Sequence, residues 1–88
     1  MDLNLLRSKI DEIDDKILTL FTERMKLAKD IARYKSENSL PVLNAEREKE
    51  ILDRLAGGAD AEIAEYVETL YNTIFEVSRN YQEKNSGA

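Results

Sequence analysis

A chain of 88 residues with a formal net charge of −5, no cysteine and no histidine excludes several kinds of chemistry before any pattern is read. Disulfides, thiol nucleophiles, the usual zinc ligands and histidine-based acid–base catalysis all lack their side chains. The acidic balance argues against nucleic acid as partner and would repel a small anion unless cations gather at one place.

The length favours one domain, taken to span residues 1–88, near the limit at which a core sustains itself without oligomerisation or a metal. Asp2 stands where a secretory leader would carry its basic region, and no apolar run approaches membrane-spanning length. The expectation is a soluble, all-α protein of a reducing compartment, the cytoplasm, with no membrane partner.

The first predicted helix covers about 3–36, a stretch without proline or glycine. Asp2 and Asn4 are both competent N-caps for it. Leu6, Ile10, Ile13, Ile17, Leu20, Leu27 and Ile31 recur at three- and four-residue steps and make one apolar stripe. Such a helix is roughly 50 Å long, whereas a compact domain of this size has a radius of gyration of about 12 Å. The rest of the chain cannot cover the stripe, so a second copy is expected across a two-fold axis. A break near Glu23–Arg24 is the competing reading, although no helix breaker stands there.

Residues 36–43 read as a loop, with Pro41 holding Leu40 extended. Asn44 fits the N-cap of a second helix, about 45–56, with Glu46 and Glu48 at its positive end. Ile51, Leu52 and Leu55 form its apolar side, and Gly57-Gly58 is expected to end it. The third helix, about 61–84, is expected to open at Asp60. Ile63, Val67, Leu70, Ile74 and Val77 form its stripe, and the tail 85–88 is expected to fray.

Polar side chains on core faces carry the functional signal. Arg24 stands on the stripe where a hydrophobe is expected, and Lys35 follows Ala28 and Ile31 on the same side. Arg7 lies at the stripe's edge near Leu3 and Ile10. Glu48 faces as Ile51 and Leu52 do, with Arg47 beside it, and Ser78 and Gln82 follow Ile74 and Phe75 turn by turn. Each has a plain structural reading: Arg24 paired with Glu48 or with a carboxylate of a second subunit, Lys35 snorkelling at a helix end, and Arg7 solvated. Arg47 and Glu48 could be ordinary first-turn charges, Ser78 could bond back to the carbonyl of residue 74, and Gln82 could be exposed. Taken together, so many charges on stripe positions are costly to bury unpaired. Their cationic excess points to a ligand with about two negative charges, and guanidinium forks suit carboxylates. With no activated nucleophile or acid–base group, the set suits binding, or a reaction driven by positioning and electrostatics.

The order Arg7, Glu23-Arg24, Lys35, Leu40-Pro41-Val42, Asn44, Arg47-Glu48, Ser78 and Gln82 resembles the all-α class of chorismate mutases. The openings Leu6-Arg7-Ser8-Lys9-Ile10-Asp11 and Thr22-Glu23-Arg24-Met25-Lys26-Leu27 look like that family's first helix, and the likeness covers 3–83. It implies an intertwined homodimer of three-helix subunits that rearranges chorismate, a dicarboxylate, to prephenate without cofactor or metal. By matching position, Arg24 and a partner-derived Arg7 would grip the two carboxylates. Lys35 and Gln82 would bond the ether oxygen and Glu48 the ring hydroxyl, while Ser78 would contact a carboxylate and Arg47 would orient the network. The resemblance thus makes Lys35, Gln82, Arg24 and Glu48 catalytic. Asn44 stands where well-known members have Asp; a backbone contact survives that change, a side-chain role for an anion does not. Gln82 follows the branch of the family with a neutral amide, which donates at any pH. Two other readings fit the same residues: an isochorismate-pyruvate lyase, and a non-catalytic helical dimerisation or regulatory module.

Overall fold

The computed structural model describes residues 1–86 and contains three α-helices and, among the described residues, no strand. They are α1 (Leu3–Glu37), α2 (Ala45–Gly58) and α3 (Ala64–Lys84). None is long and apolar enough to cross a membrane. The Asp2 carboxylate caps α1 by accepting from the Asn4 backbone N–H at 2.9 Å. With no glycine or proline inside it, α1 continues unbroken through Glu23 and Arg24.

The described chain measures 55 × 25 × 14 Å with a radius of gyration of 16.1 Å. A compact chain of this length would have about 12 Å. The excess comes from α1, which projects as a rod beyond the other two helices. α3 packs on both α1 and α2, and these two make no close backbone approach to each other. Small side chains set the α1–α3 contact: Ala28 and Ala32, one turn apart, are buried, and Phe75 of α3 is the large buried hydrophobe. Tyr71 meets Phe75 edge-on at 6.0 Å between ring centroids. The apolar stripe of α1 stays outside this core. Ile17 is 57% and Leu20 63% exposed, and among the described residues no element lies over them.

The end of α1 is built with unusual chemistry. The Leu40 N–H donates to the Lys35 carbonyl at 2.8 Å and the Ser39 N–H to the Ser36 carbonyl at 3.3 Å. This is the paired closure of a Schellman motif, and Ser39 occupies its left-handed position with φ 55°. Glycine usually stands there, so the sequence carries no signal for it. The motif turns the chain sharply after Lys35 and brings the segment around Val42 back alongside α1.

Two helix ends differ from expectation. α2 does end at the glycine pair, but Gly57 and Gly58 are its last two residues rather than the first beyond it, and the cap is Ala59. A Cβ at either glycine would meet open space, so neither position serves a close approach. At the other end, Asp60 does not open α3. Its carbonyl accepts from both Ile63 and Ala64, at 2.9 and 3.0 Å, in a separate turn. Ile63, with φ −112°, interrupts the helical geometry, so α3 starts at Ala64 with no side-chain cap. In the tail, the Ser36 hydroxyl donates to the Ser86 carbonyl at 2.6 Å, and Asn85 caps α3. Residues 85 and 86 are therefore tied down rather than frayed; Gly87 and Ala88 lie outside the described residues.

Replacing Ser39 by glycine should relieve the left-handed strain at a smaller entropic cost. A net gain of about 0.5–1 kcal/mol, or roughly 3–5 °C in Tm, is expected. Ser39→Val should lower Tm, and paired thermal melts check both.

Candidate active site

A cleft of about 320 Å³ opens between α1 and α2, with α3 as its floor. Helical spacing decides what enters it. From α1 come Arg24, Ala28, Ile31 and Lys35, and from α3 come Phe75, Ser78, Arg79 and Gln82. Each set repeats at three- and four-residue steps and so occupies one face. The first turn of α2 supplies Asn44, Arg47 and Glu48, and Val42 closes the end beside Lys35.

Arg24 is half-buried, and among the described residues its guanidinium has no hydrogen bond or ion pair. Its expected structural partner, Glu48, is engaged elsewhere. Arg79 reaches across from α3, and its Nη1 donates to Glu48 Oε1 at 2.6 Å and Oε2 at 2.5 Å. Lys35 does not snorkel into solvent: its ammonium donates to the Val42 carbonyl at 2.6 Å. The contact costs the ammonium no charge, so both α1 cations face the cleft uncompensated by a carboxylate.

Ser78 and Gln82 are buried, at 6% and 8% exposure. Ser78 Oγ accepts from Gln82 Nε2 at 3.0 Å, within one turn of α3. The Gln82 Oε1 is fully shielded and has no hydrogen-bond partner. A buried amide left half-satisfied costs on the order of 1–3 kcal/mol unless something supplies the missing partner. Asn44 spends its side-chain oxygen on the backbone N–H of Arg47, at 3.0 Å, as the α2 cap. Arg47 is exposed and pairs with Glu50 at 3.2 Å, in the manner of an ordinary surface charge. Arg7 does not line the cleft; it is exposed on α1, 17 residues before Arg24 and so about 25 Å away along the rod.

Arg79 is the lining residue that the sequence reading passed over. Its signal was present, four residues after Phe75 and three before Gln82, on the face already recognised. The Val42 carbonyl carries no sequence signal at all, since any residue there would offer the same oxygen.

A family model described as chorismate mutase type II matches residues 6–83. The chain belongs to the type II chorismate mutase family. Among curated relatives, it is 54% identical over 50 residues to the "Chorismate mutase" of Methanocaldococcus jannaschii, covering 57% of this chain and 50% of that one. It is 48% identical over 54 residues to the "Bifunctional chorismate mutase/prephenate dehydratase" of Aquifex aeolicus, covering 61% of this chain and 15% of that protein. The enzyme of the same name from Escherichia coli is 37% identical over 75 residues, 83% of this chain and 19% of that one. The chain thus spans half or less of the length of these relatives.

For a type II chorismate mutase family member with a net charge of −5, the local balance of the cleft is reversed. Arg24, Lys35, Arg47 and Arg79 line it against one carboxylate, Glu48. Such a cleft is fitted for an anion, and a dicarboxylate can take one fork or ammonium on each end. Outside it, on the exposed side of α2, a hydrogen bond to Asp53 and that carboxylate's charge raise the Lys49 pKa above its usual 10.5. Lys49 therefore holds its proton more firmly when folded. Whatever this adds to stability is present at neutral pH and lost only as pH rises through the raised value.

The Arg79–Glu48 contact is partly shielded, with 31% and 24% of the two side chains exposed. Arg79→Ala and Glu48→Ala should each cost about 1–2 kcal/mol, and the double mutant should cost clearly less than their sum. Denaturant melts of the four proteins test this coupling.

Proposed function

We propose that the chain is a chorismate mutase, catalysing the intramolecular Claisen rearrangement of chorismate to prephenate in a cytoplasmic setting. The observation that carries this reading is an anion-fitted cleft in which Arg24 and Lys35, on one face of α1, converge with Glu48, Ser78 and Gln82. Membership of the family supports it.

In this rearrangement the ether C–O bond breaks as a C–C bond forms between the enolpyruvyl methylene and the ring. No proton leaves and no covalent intermediate with the protein arises. What lowers the barrier is holding a flexible dianion in its folded conformer and placing fixed donors where charge develops. Arg24 would hold one carboxylate, with Ser78 in support. The Lys35 ammonium would meet the ether oxygen, turning from the Val42 carbonyl that now holds it in place. Gln82 Nε2 spends one hydrogen on Ser78 Oγ, and its second would give the ether oxygen its second bond, which leaves the Ser78 hydroxyl proton for the carboxylate. Glu48 would accept from the ring hydroxyl. Asn44 and Arg47 act from the first turn of α2, Asn44 by fixing its start and Arg47 by orienting the carboxylates.

The second carboxylate needs a further cation, and the assignment for it is Arg7 of a second copy. We therefore infer an intertwined homodimer with two composite sites, built on a single domain. The uncovered stripe of α1 supports this, because a chain cannot leave so much apolar surface in water at little cost. A stripe running the length of a rod suits an antiparallel or crossing copy of the same rod.

Lys35→Ala and Arg24→Ala should each lower kcat/KM for chorismate by about 10²–10³ without unfolding the protein. A spectroscopic assay of chorismate loss, with product identification, checks this; pyruvate release from isochorismate alone would favour the lyase reading, and no turnover a non-catalytic module. Mixing Arg7→Ala chains with Arg24→Ala chains tests the shared site. Two inactive proteins should regain up to about a quarter of wild-type activity when heterodimers form, because half the dimers are mixed and each holds one intact site. No recovery would remove Arg7 from the partner's cleft.

A further inference from the structure

The Arg79 guanidinium has no part in the roles assigned above, yet it makes the closest charged contact in the cleft. It spans from α3 to α2 and occupies one acceptor position on each oxygen of Glu48, at 2.6 and 2.5 Å. A carboxylate offers about four such positions, so the remaining ones stay free to accept from a ligand. Among the described residues Glu48 is also the one carboxylate lining the cleft, and the other charged lining residues are cations. A ligand with two negative charges cannot bring either against it. What Glu48 can accept from is an uncharged donor, and a hydroxyl is the donor such a diacid carries.

Reading a hydroxyl with a glutamate requires that its direction be fixed. A free glutamate loses side-chain entropy when it is held in one rotamer, and its unscreened charge would oppose the dianion. Arg79 removes both penalties in advance. It holds both oxygens from the floor of the cleft, and its charge cancels that of Glu48 so that Arg24 and Lys35 remain the net field.

We propose that Arg79 is a positioning residue that locks Glu48 as the acceptor for the substrate's ring hydroxyl, and thereby sets how strongly the site prefers a hydroxylated diacid over one without the hydroxyl. This rests on the chorismate mutase reading. Arg79 touches no reacting atom in it.

The test compares kcat/KM for chorismate and for its 4-deoxy analogue, each normalised to its uncatalysed rate, in wild type, Arg79→Met, Arg79→Lys and Glu48→Ala. Wild type should prefer chorismate by about 10² or more. Arg79→Met should lose about 10–100-fold on chorismate and no more than about threefold on the 4-deoxy analogue, so the preference collapses. Arg79→Lys should restore part of it, and Arg79→Met added to Glu48→Ala should change the ratio no further. If Arg79→Met does not fold, Arg79→Lys and Arg79→Gln supply the same ratio at lower temperature. Equal losses on both substrates would mean a merely structural ion pair and would overturn the proposal, as would an unchanged ratio. A wild-type protein inert towards both substrates would overturn the mutase reading, and this inference with it.

Discussion

The pairing of Glu48 with Arg79 fixes the charge of the cleft, and the rest of the site depends on it. Were Glu48 free, the half-buried guanidinium of Arg24 would be its natural partner, and the two would neutralise each other across the opening. By engaging both Glu48 oxygens from the floor of the cleft, Arg79 leaves Arg24 without a counter-ion among the described residues. Lys35 is left in a similar state by a different device, since a backbone carbonyl steadies its ammonium without cancelling its charge. An acidic protein thus keeps a small region of positive potential inside a cleft, where the protein walls focus it.

The fold that holds these groups is thin. Three helices with so few buried apolar residues make little core of their own. Precision comes instead from short, local devices. The Schellman closure after Lys35 sets where Val42 returns, and the Asn44 cap sets where α2 starts and hence where Glu48 points. Ala28 and Ala32 let α3 approach α1 closely, which puts Ser78 and Gln82 within reach of the α1 cations. The long stripe of α1 supplies the stability that this core lacks once a second copy covers it, so the proposed dimer and the proposed site are one requirement.

The parts of this arrangement that follow from a single helical period were legible in the sequence. α1 was readable because it contains no glycine or proline, and Lys35, Ser78 and Gln82 because they sit at turn spacings from apolar neighbours. Asn44 was readable because capping is local chemistry. The boundary features were not. Ser39 holds a left-handed position that glycine would have signalled, and Gly57-Gly58 mark the end of α2 but form its last two residues instead of following it. The α3 start slipped from Asp60 to Ala64 because a backbone carbonyl bifurcates between two N–H groups, which composition does not report. Arg79 was on a recognised face and still passed over, since its partner lies 31 residues away and only packing brings the two together.

The inventory of side chains also explains why so slight a scaffold is sufficient for the proposed chemistry. General acid–base or nucleophilic catalysis needs a group of tuned pKa, and tuning requires burial that a three-helix subunit with an open cleft does not provide. A pericyclic rearrangement asks for something else: a handful of permanent charges and dipoles at fixed separations. Guanidinium and ammonium groups supply that charge without a proton having to move, and an amide donates without any charge. Rigid helices with caps at their ends give fixed separations at low cost in chain length. What remains is to shape the ligand and shut out water, which a second copy laid over the α1 rod would do at the same time as it completes the core.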